Sequence, residues 1–125
     1  MSQTETRAKK VAQAPFAAPY VFTLSAVAGP DVTAVHRLTQ PVTVLGRSEE
    51  ASFFVDDQEV SARHCELRVD AGHCWVVDLE SRNGTLVNGR PIEPGVARRV
   101  RHLDEIEVGG TRWLMLAGKF SARSS

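Results

Sequence analysis

Between Tyr20 and Ala117 the apolar residues fall in short runs, rich in β-branched and aromatic side chains and bounded by Gly, Pro, Asn or Asp. Runs of this kind read as strands joined by turns. They are Tyr20–Ala26, Val32–Leu38 after Gly29-Pro30-Asp31, Val42–Leu45 after Pro41, Ser52–Val55, His64–Val69, Cys74–Leu79 and Thr85–Val87. Ile92, Val96–Val100, Glu105–Val108 and Thr111–Ala117 complete the series, with Gly109-Gly110 as the last hairpin turn. Alternation is clearest in Cys65-Glu66-Leu67-Arg68-Val69 and Thr111-Arg112-Trp113-Leu114-Met115, where one side is largely apolar and the other more polar. No window of helical length repeats its apolar residues at i, i+3, i+4 and i+7. The pattern predicts an all-β chain folded as an antiparallel β-sandwich of many short strands.

At 125 residues there is room for one domain with a single core. The pattern is absent from residues 1–19, which read as a flexible arm of Ser, Gln, Thr, Ala, Lys and Pro, and from 118–125, which read as a short loose tail. The domain is therefore expected over 20–117. Fifteen basic residues balance fifteen acidic ones, so whole-molecule steering toward nucleic acid or a membrane surface is not expected. An anionic ligand would have to be recognised locally. No apolar run approaches the roughly 20 residues of a membrane span, and Met1 to Gln13 lack the apolar core of a secretory signal. A cytoplasmic location without membrane insertion is expected.

Cys65 and Cys74 lie on the two arms of a hairpin expected to turn at Asp70-Ala71-Gly72, which places Cys65 opposite Val77 and Cys74 opposite Arg68. A disulfide needs Cα atoms within about 7 Å, so the offset argues against one. His64-Cys65 and His73-Cys74 hold zinc-ligand chemistry, but neighbours on a strand point to opposite faces, and no metal is expected. No Ser, His and Asp set has a nucleophile elbow around it and no glycine-rich loop opens a helix. Neither an enzyme nor a cofactor is predicted. Arg98-Arg99-Val100-Arg101-His102 is basic, but its charges divide between strand faces and Asp104, Glu105 and Glu107 follow at once, so it reads as a solvated strand and not as a nucleic-acid surface.

The turns themselves carry the chemistry. Gly46-Arg47, Ser61-Ala62-Arg63-His64, Asn83-Gly84-Thr85 and Asn88-Gly89 recur at loop-like spacing. Arginine offers a planar, permanently charged fork suited to phosphate, serine a compact hydroxyl donor, and asparagine a donor and an acceptor for a peptide backbone. A phosphothreonine carries about −1.5 to −2 charges and three acceptor oxygens, so its receptor needs a guanidinium and neutral donors on a rigid frame. These loops fit that requirement.

The same residues, with Val60, Val87 and Leu103-Asp104-Glu105-Ile106-Glu107-Val108-Gly109, resemble the forkhead-associated (FHA) domain over Tyr20 to Ala117. The resemblance implies a sandwich of about eleven strands that binds phosphothreonine peptides through loops at one end. It implies that Arg47 and Ser61 hold the phosphate, that Asn83 fixes the peptide backbone, and that His64 buttresses the loops from behind. Gly46, Gly84, Asn88 and Gly89 would shape turns and touch no ligand. Two positions depart from the family pattern. Ala62 stands where Arg, Lys or Asn often reaches the phosphate, which shifts that role to Arg63 or Arg82. Leu103 stands where a glycine often precedes the aspartate, which questions the shape of that turn.

Plainer roles exist for each residue: a salt bridge from Arg47 to Glu49 or Glu50, a turn-forming Ser61, a tight turn at Asn83-Gly84, a buried and satisfied His64. Their ordered occurrence together favours a phosphothreonine-peptide binding module, docking a phosphorylated partner in signalling or secretion governed by a serine/threonine kinase. The other reading is a structural assembly module of the same fold that binds proteins without reading phosphate. Thr4 and Thr6, if phosphorylated, could fold back on the domain's own site, because tethering raises effective concentration to the millimolar range.

Overall fold

The computed structural model describes residues 20–29, 32 and 34–119; the expected arm over 1–19, with Thr4 and Thr6, lies outside them. Eleven strands and no helix occur among the described residues: β1 (Tyr20–Ala28), β2 (Val35–Arg37), β3 (Val42–Gly46), β4 (Phe53–Phe54), β5 (Cys65–Asp70), β6 (His73–Asp78), β7 (Thr85–Val87), β8 (Arg90–Pro91), β9 (Arg98–Val100), β10 (Glu105–Val108) and β11 (Thr111–Lys119). They form a five-stranded sheet in the order β9-β6-β5-β3-β4 and a six-stranded sheet in the order β2-β1-β11-β10-β7-β8.

Period-two burial seals the sandwich. On β5 the buried side chains are Cys65 and Leu67, while Arg68 is exposed; on β11 Trp113 and Met115 are buried while Arg112 is exposed. With Leu24, Leu45, Val76, Val87 and Ile106 they make one core between the two sheets. Removing such side chains from water is the main stabilising term, about 1.5–3 kcal/mol for each large one.

Several boundaries differ from the sequence reading, each for a local reason. The hairpin between β5 and β6 turns on two residues, Ala71 (φ 54°) and Gly72 (φ 80°), so Asp70 pairs with His73. Positive φ at both positions marks the tight turn whose twist matches the strands. This moves Cys65 opposite Asp78 and Cys74 opposite Val69, one residue from the expected partners; both thiols are free and buried. Burial pushes each thiol up to about 12, which leaves them unreactive near neutral pH.

The strand expected over Val32–Leu38 shortens to Val35–Arg37, and that expected over Val96–Val100 to Arg98–Val100. At Ile92 the paired residues are instead Arg90 and Pro91, because the Asn88-Gly89 turn (φ 54° and 80°) sets Arg90 opposite Val87. The last strand runs to Lys119, so the pairing outlasts the expected start of the tail at 118. One pair, β3 with β4, is parallel: the chain doubles back through a turn closed by Ala51 N–H to Ser48 C=O and lays two residues along Leu45 and Gly46.

Candidate functional site

Three connections meet at one end of the sandwich: residues 47–52 after β3, 55–64 before β5, and 79–84 between β6 and β7. The first two run side by side. Arg47 N–H donates to Ser61 C=O (2.9 Å) and Ser48 N–H to Ala62 C=O (3.1 Å). Gly46 makes this approach possible, since a Cβ there would lie 1.9 Å from the Ala62 carbonyl oxygen. Only glycine fits so close to another backbone.

His64 joins the second loop to the third. Its side chain is fully buried, and Nδ1 accepts the Ser61 N–H (3.0 Å). The ring proton therefore sits on Nε2, which donates to Gly84 C=O (2.7 Å). The imidazole is a spacer with both nitrogens committed, fixing Ser61 and Gly84 relative to each other. Gly84 holds φ +85°, a left-handed conformation open to glycine.

Asp78, 1% exposed, anchors the third loop. It accepts from Ser81 Oγ (2.6 Å), Ser81 N–H (3.1 Å) and Thr85 Oγ1 (2.6 Å). Burial pushes this carboxyl up, but the hydroxyls of Ser81 and Thr85 and the Ser81 amide outweigh it and hold it below the ordinary value. Asp57 ties the second loop to the hairpin between β10 and β11, accepting from Gly110 N–H (2.9 Å), Thr111 Oγ1 (3.0 Å) and Glu59 N–H (2.9 Å). Burial raises its carboxyl, and the bonds from Glu59, Gly110 and Thr111 lower it further than burial lifts it.

On this frame the candidate residues converge. Ser61 Oγ accepts the Arg82 N–H (2.9 Å), which leaves the hydroxyl proton available to a ligand. Asn83 Nδ2 donates to Glu59 C=O (2.8 Å) and Glu59 Oε1 (3.2 Å), so its amide oxygen is the atom left for a peptide N–H. Arg82 Nη2 donates to Gln58 C=O (3.0 Å). Arg47, Arg63 and Arg82 are all exposed, and none is ion-paired among the described residues; Arg47 therefore makes no salt bridge to Glu49 or Glu50. Ala62 is exposed and adds no polar group.

Asn88 and Gly89 are not part of this rim. They turn the chain at the far end of β7, where Asn88 donates to Asp104 Oδ1 (3.0 Å) and accepts the Glu105 N–H (2.8 Å). Asp57, Asp78 and Ser81 are supports that spacing did not single out, and Thr85, though part of the Asn83-Gly84-Thr85 motif, had no role assigned to it. The one local signal for the third loop is Asp78 three residues before Ser81, a pairing typical of side chain-closed turns.

Residues 43–109, more than half of the chain, match the model of the FHA domain. The chain belongs to the FHA domain family. This FHA domain is 44% identical over 90 residues to the oxoglutarate dehydrogenase inhibitor of Corynebacterium glutamicum, a match over 72% of this chain and 61% of that one. It is 39% identical over 90 residues to the glycogen accumulation regulator GarA of Mycolicibacterium smegmatis, over 72% and 55%. The chain thus spans little more than half the length of these curated relatives. Among solved structures it is similar to an FHA domain studied for phosphothreonine-dependent interactions (TM-score 0.68, 28% identity, 77% of this chain and 95% of that one). It is also similar to the FhaA FHA domain complexed with the intracellular domain of a second protein (TM-score 0.67, 29% identity, 75% and 98%).

Proposed function

We propose that this FHA domain is a phosphothreonine-peptide reader, without catalytic activity, that docks partners marked by a serine/threonine kinase. In this reading Arg47 and the Ser61 hydroxyl grip the phosphate, and Asn83 Oδ1 accepts a peptide N–H beside it. Arg63 and Arg82 supply the charge that Ala62 lacks. The observation that carries the proposal is the bond from Arg47 N–H to Ser61 C=O (2.9 Å), which holds the backbones of these two residues side by side on two braced loops, one bearing a guanidinium without an ion-pair partner among the described residues and the other a hydroxyl whose proton is uncommitted. Charge-assisted bonds on a preorganised frame are the strong ones. Family membership supports it, as does the likeness to an FHA domain with phosphothreonine-dependent interactions.

Calorimetry with matched peptides that differ only in the phosphate on threonine tests the proposal. Binding of the phosphorylated peptide alone is expected. Equal affinity for both would favour the assembly-module reading instead.

A further inference from the structure

The turn over residues 57–60 contains two peptide units that are each tied at both ends. In a trans peptide the N–H and the preceding C=O lie in one plane and point in opposite directions, and the described residues contain no cis bond. In the unit joining Gln58 to Glu59, the Glu59 N–H donates to Asp57 Oδ1 (2.9 Å) while the Gln58 C=O accepts from Arg82 Nη2 (3.0 Å). In the next unit, the Val60 N–H donates to the Asp57 C=O (2.9 Å) while the Glu59 C=O accepts from Asn83 Nδ2 (2.8 Å). Asp57 thus holds one end of each plane, its carboxylate the first and its carbonyl the second. Arg82 and Asn83 are held at the other ends.

Asp57 is itself fixed from outside the loop. Its Oδ2 accepts from Gly110 N–H (2.9 Å) and Thr111 Oγ1 (3.0 Å), on the hairpin between β10 and β11. That hairpin comes so close because its tip carries glycine: a Cβ on Gly109 would lie 2.9 Å from Glu59 Cβ and 3.1 Å from Asp57 Oδ2. Arg82 and Asn83 are exposed, and exposed polar side chains ordinarily spread over several rotamers, which a ligand must order at a cost in entropy. Held by carbonyls whose own directions are fixed, both are ordered before a ligand arrives. A carboxylate at one end of the Gln58–Glu59 peptide and a guanidinium at the other also polarise it in the same sense, which strengthens both bonds.

We infer that Asp57 is a positioning residue of the rim: through two peptide planes it aims the Arg82 guanidinium and the Asn83 amide, and the β10–β11 hairpin sets its own orientation. Asp57 acts through these two side chains and touches no ligand; its effect on peptide affinity rests on the phosphothreonine reading. The hairpin, which supplies no residue to the site, therefore tunes affinity through Thr111 and Gly110.

The test combines isothermal titration with ¹H–¹⁵N spectroscopy of the full chain, using a phosphothreonine peptide and its unphosphorylated twin. Asp57→Asn keeps the size of the side chain but leaves one oxygen where donors meet two. It should weaken the phosphorylated peptide about fivefold, the worth of roughly one hydrogen bond. In the ligand-free protein the Arg82 Nε–H and Asn83 Nδ2–H signals should move. The amides of Ser81 and Gly84, in the same loop but held by Asp78 Oδ2 and Ser81 Oγ, should stay in place. Thr111→Val, which keeps the shape and removes one donor to Asp57, should weaken the peptide about twofold with the same two signals moving; it decides the matter if Asp57→Asn fails to fold. Unchanged affinity in the variants, or shifts at Ser81 and Gly84 as large as those at Arg82 and Asn83, would overturn the inference. A wild type indifferent to the phosphate, whose Arg82 and Asn83 signals still move in Asp57→Asn, would instead remove the phosphothreonine reading and leave the aiming of the two side chains standing.

Discussion

At the loop rim, side chains brace segments far apart in the chain: Asp57 reaches Gly110 and Thr111, His64 reaches Gly84, and Asn83 reaches Glu59. At the opposite end, turns close on short-range geometry, at Ala71-Gly72, at Asn88-Gly89 and at residues 101–104, and the longer side-chain braces, from Asn88 to Asp104 and Glu105 and from His102 to the Ala117 N–H, are exposed. The rim rests on two buried polar hubs, His64 and Asp78; among the described residues the far end has none. Three classes of substitution follow. A hub couples fold and site, an exposed rim arginine affects the site alone, and a far-end turn affects the fold alone.

The largest expected effect is on a hub. His64→Ala leaves the Ser61 N–H and the Gly84 carbonyl unpaired in a cavity and should cost about 3 kcal/mol. That is a fall in Tm of roughly 10 °C for a domain of this size, with loss of phosphopeptide affinity; calorimetric unfolding and peptide titration on one sample check both. Full affinity at the native Tm would show that His64 is no hub. Next is Arg47→Ala, which should weaken phosphopeptide binding roughly ten- to hundredfold, since one hydrogen bond to a charged group is worth about 1.5–3 kcal/mol. Its Tm should stay within about 2 °C of the wild type.

Acid separates the regions in a different way. Asp57 and Asp78 titrate below their ordinary value of 3.8 in the folded chain, so the stability they lend is complete above that pH and is lost as pH falls through their folded values. His36, which stacks on Phe53 at 4.2 Å, has its pKa lowered by burial from 6.5. Its contribution is present above 6.5 and declines as pH falls through its own folded value, giving a shallower, earlier loss. Unfolding midpoints from pH 7 to 2 should show both phases, and Asp78→Asn should flatten the steeper one.

The smallest effect is at the far end. Leu103 holds φ +73° and is 58% exposed, so its side chain gains little from burial while its backbone bears a left-handed penalty. Leu103→Gly should stabilise the fold by about 0.5–1 kcal/mol once the added chain entropy of glycine is counted. Phosphopeptide affinity should not change.

The sandwich was legible because strand burial has period two, and Cys65 to Val69 and Thr111 to Met115 display it without interruption. Turn lengths were less so. A two-residue turn at Ala71-Gly72 requires alanine at positive φ, against its preference, and reading three residues there displaced both cysteines by one partner. Of the site, the arginines, Ser61, Asn83 and the glycines could be read from their loop spacing. Asp57 could not, because its partners lie 53 and 54 residues away, a contact the tertiary fold creates. The departure at Leu103 was visible, and the chain keeps the left-handed turn despite it.

The central claim is that Arg47 and Ser61 form one phosphate grip on a frame that survives their loss. Isothermal titration of the wild type, Arg47→Ala and Ser61→Ala with one phosphothreonine peptide and its unphosphorylated twin tests it most directly. Tight binding of the phosphorylated peptide by the wild type only, with all three proteins folded, is the predicted result. Equal affinity of the three proteins, or indifference to the phosphate, would contradict it.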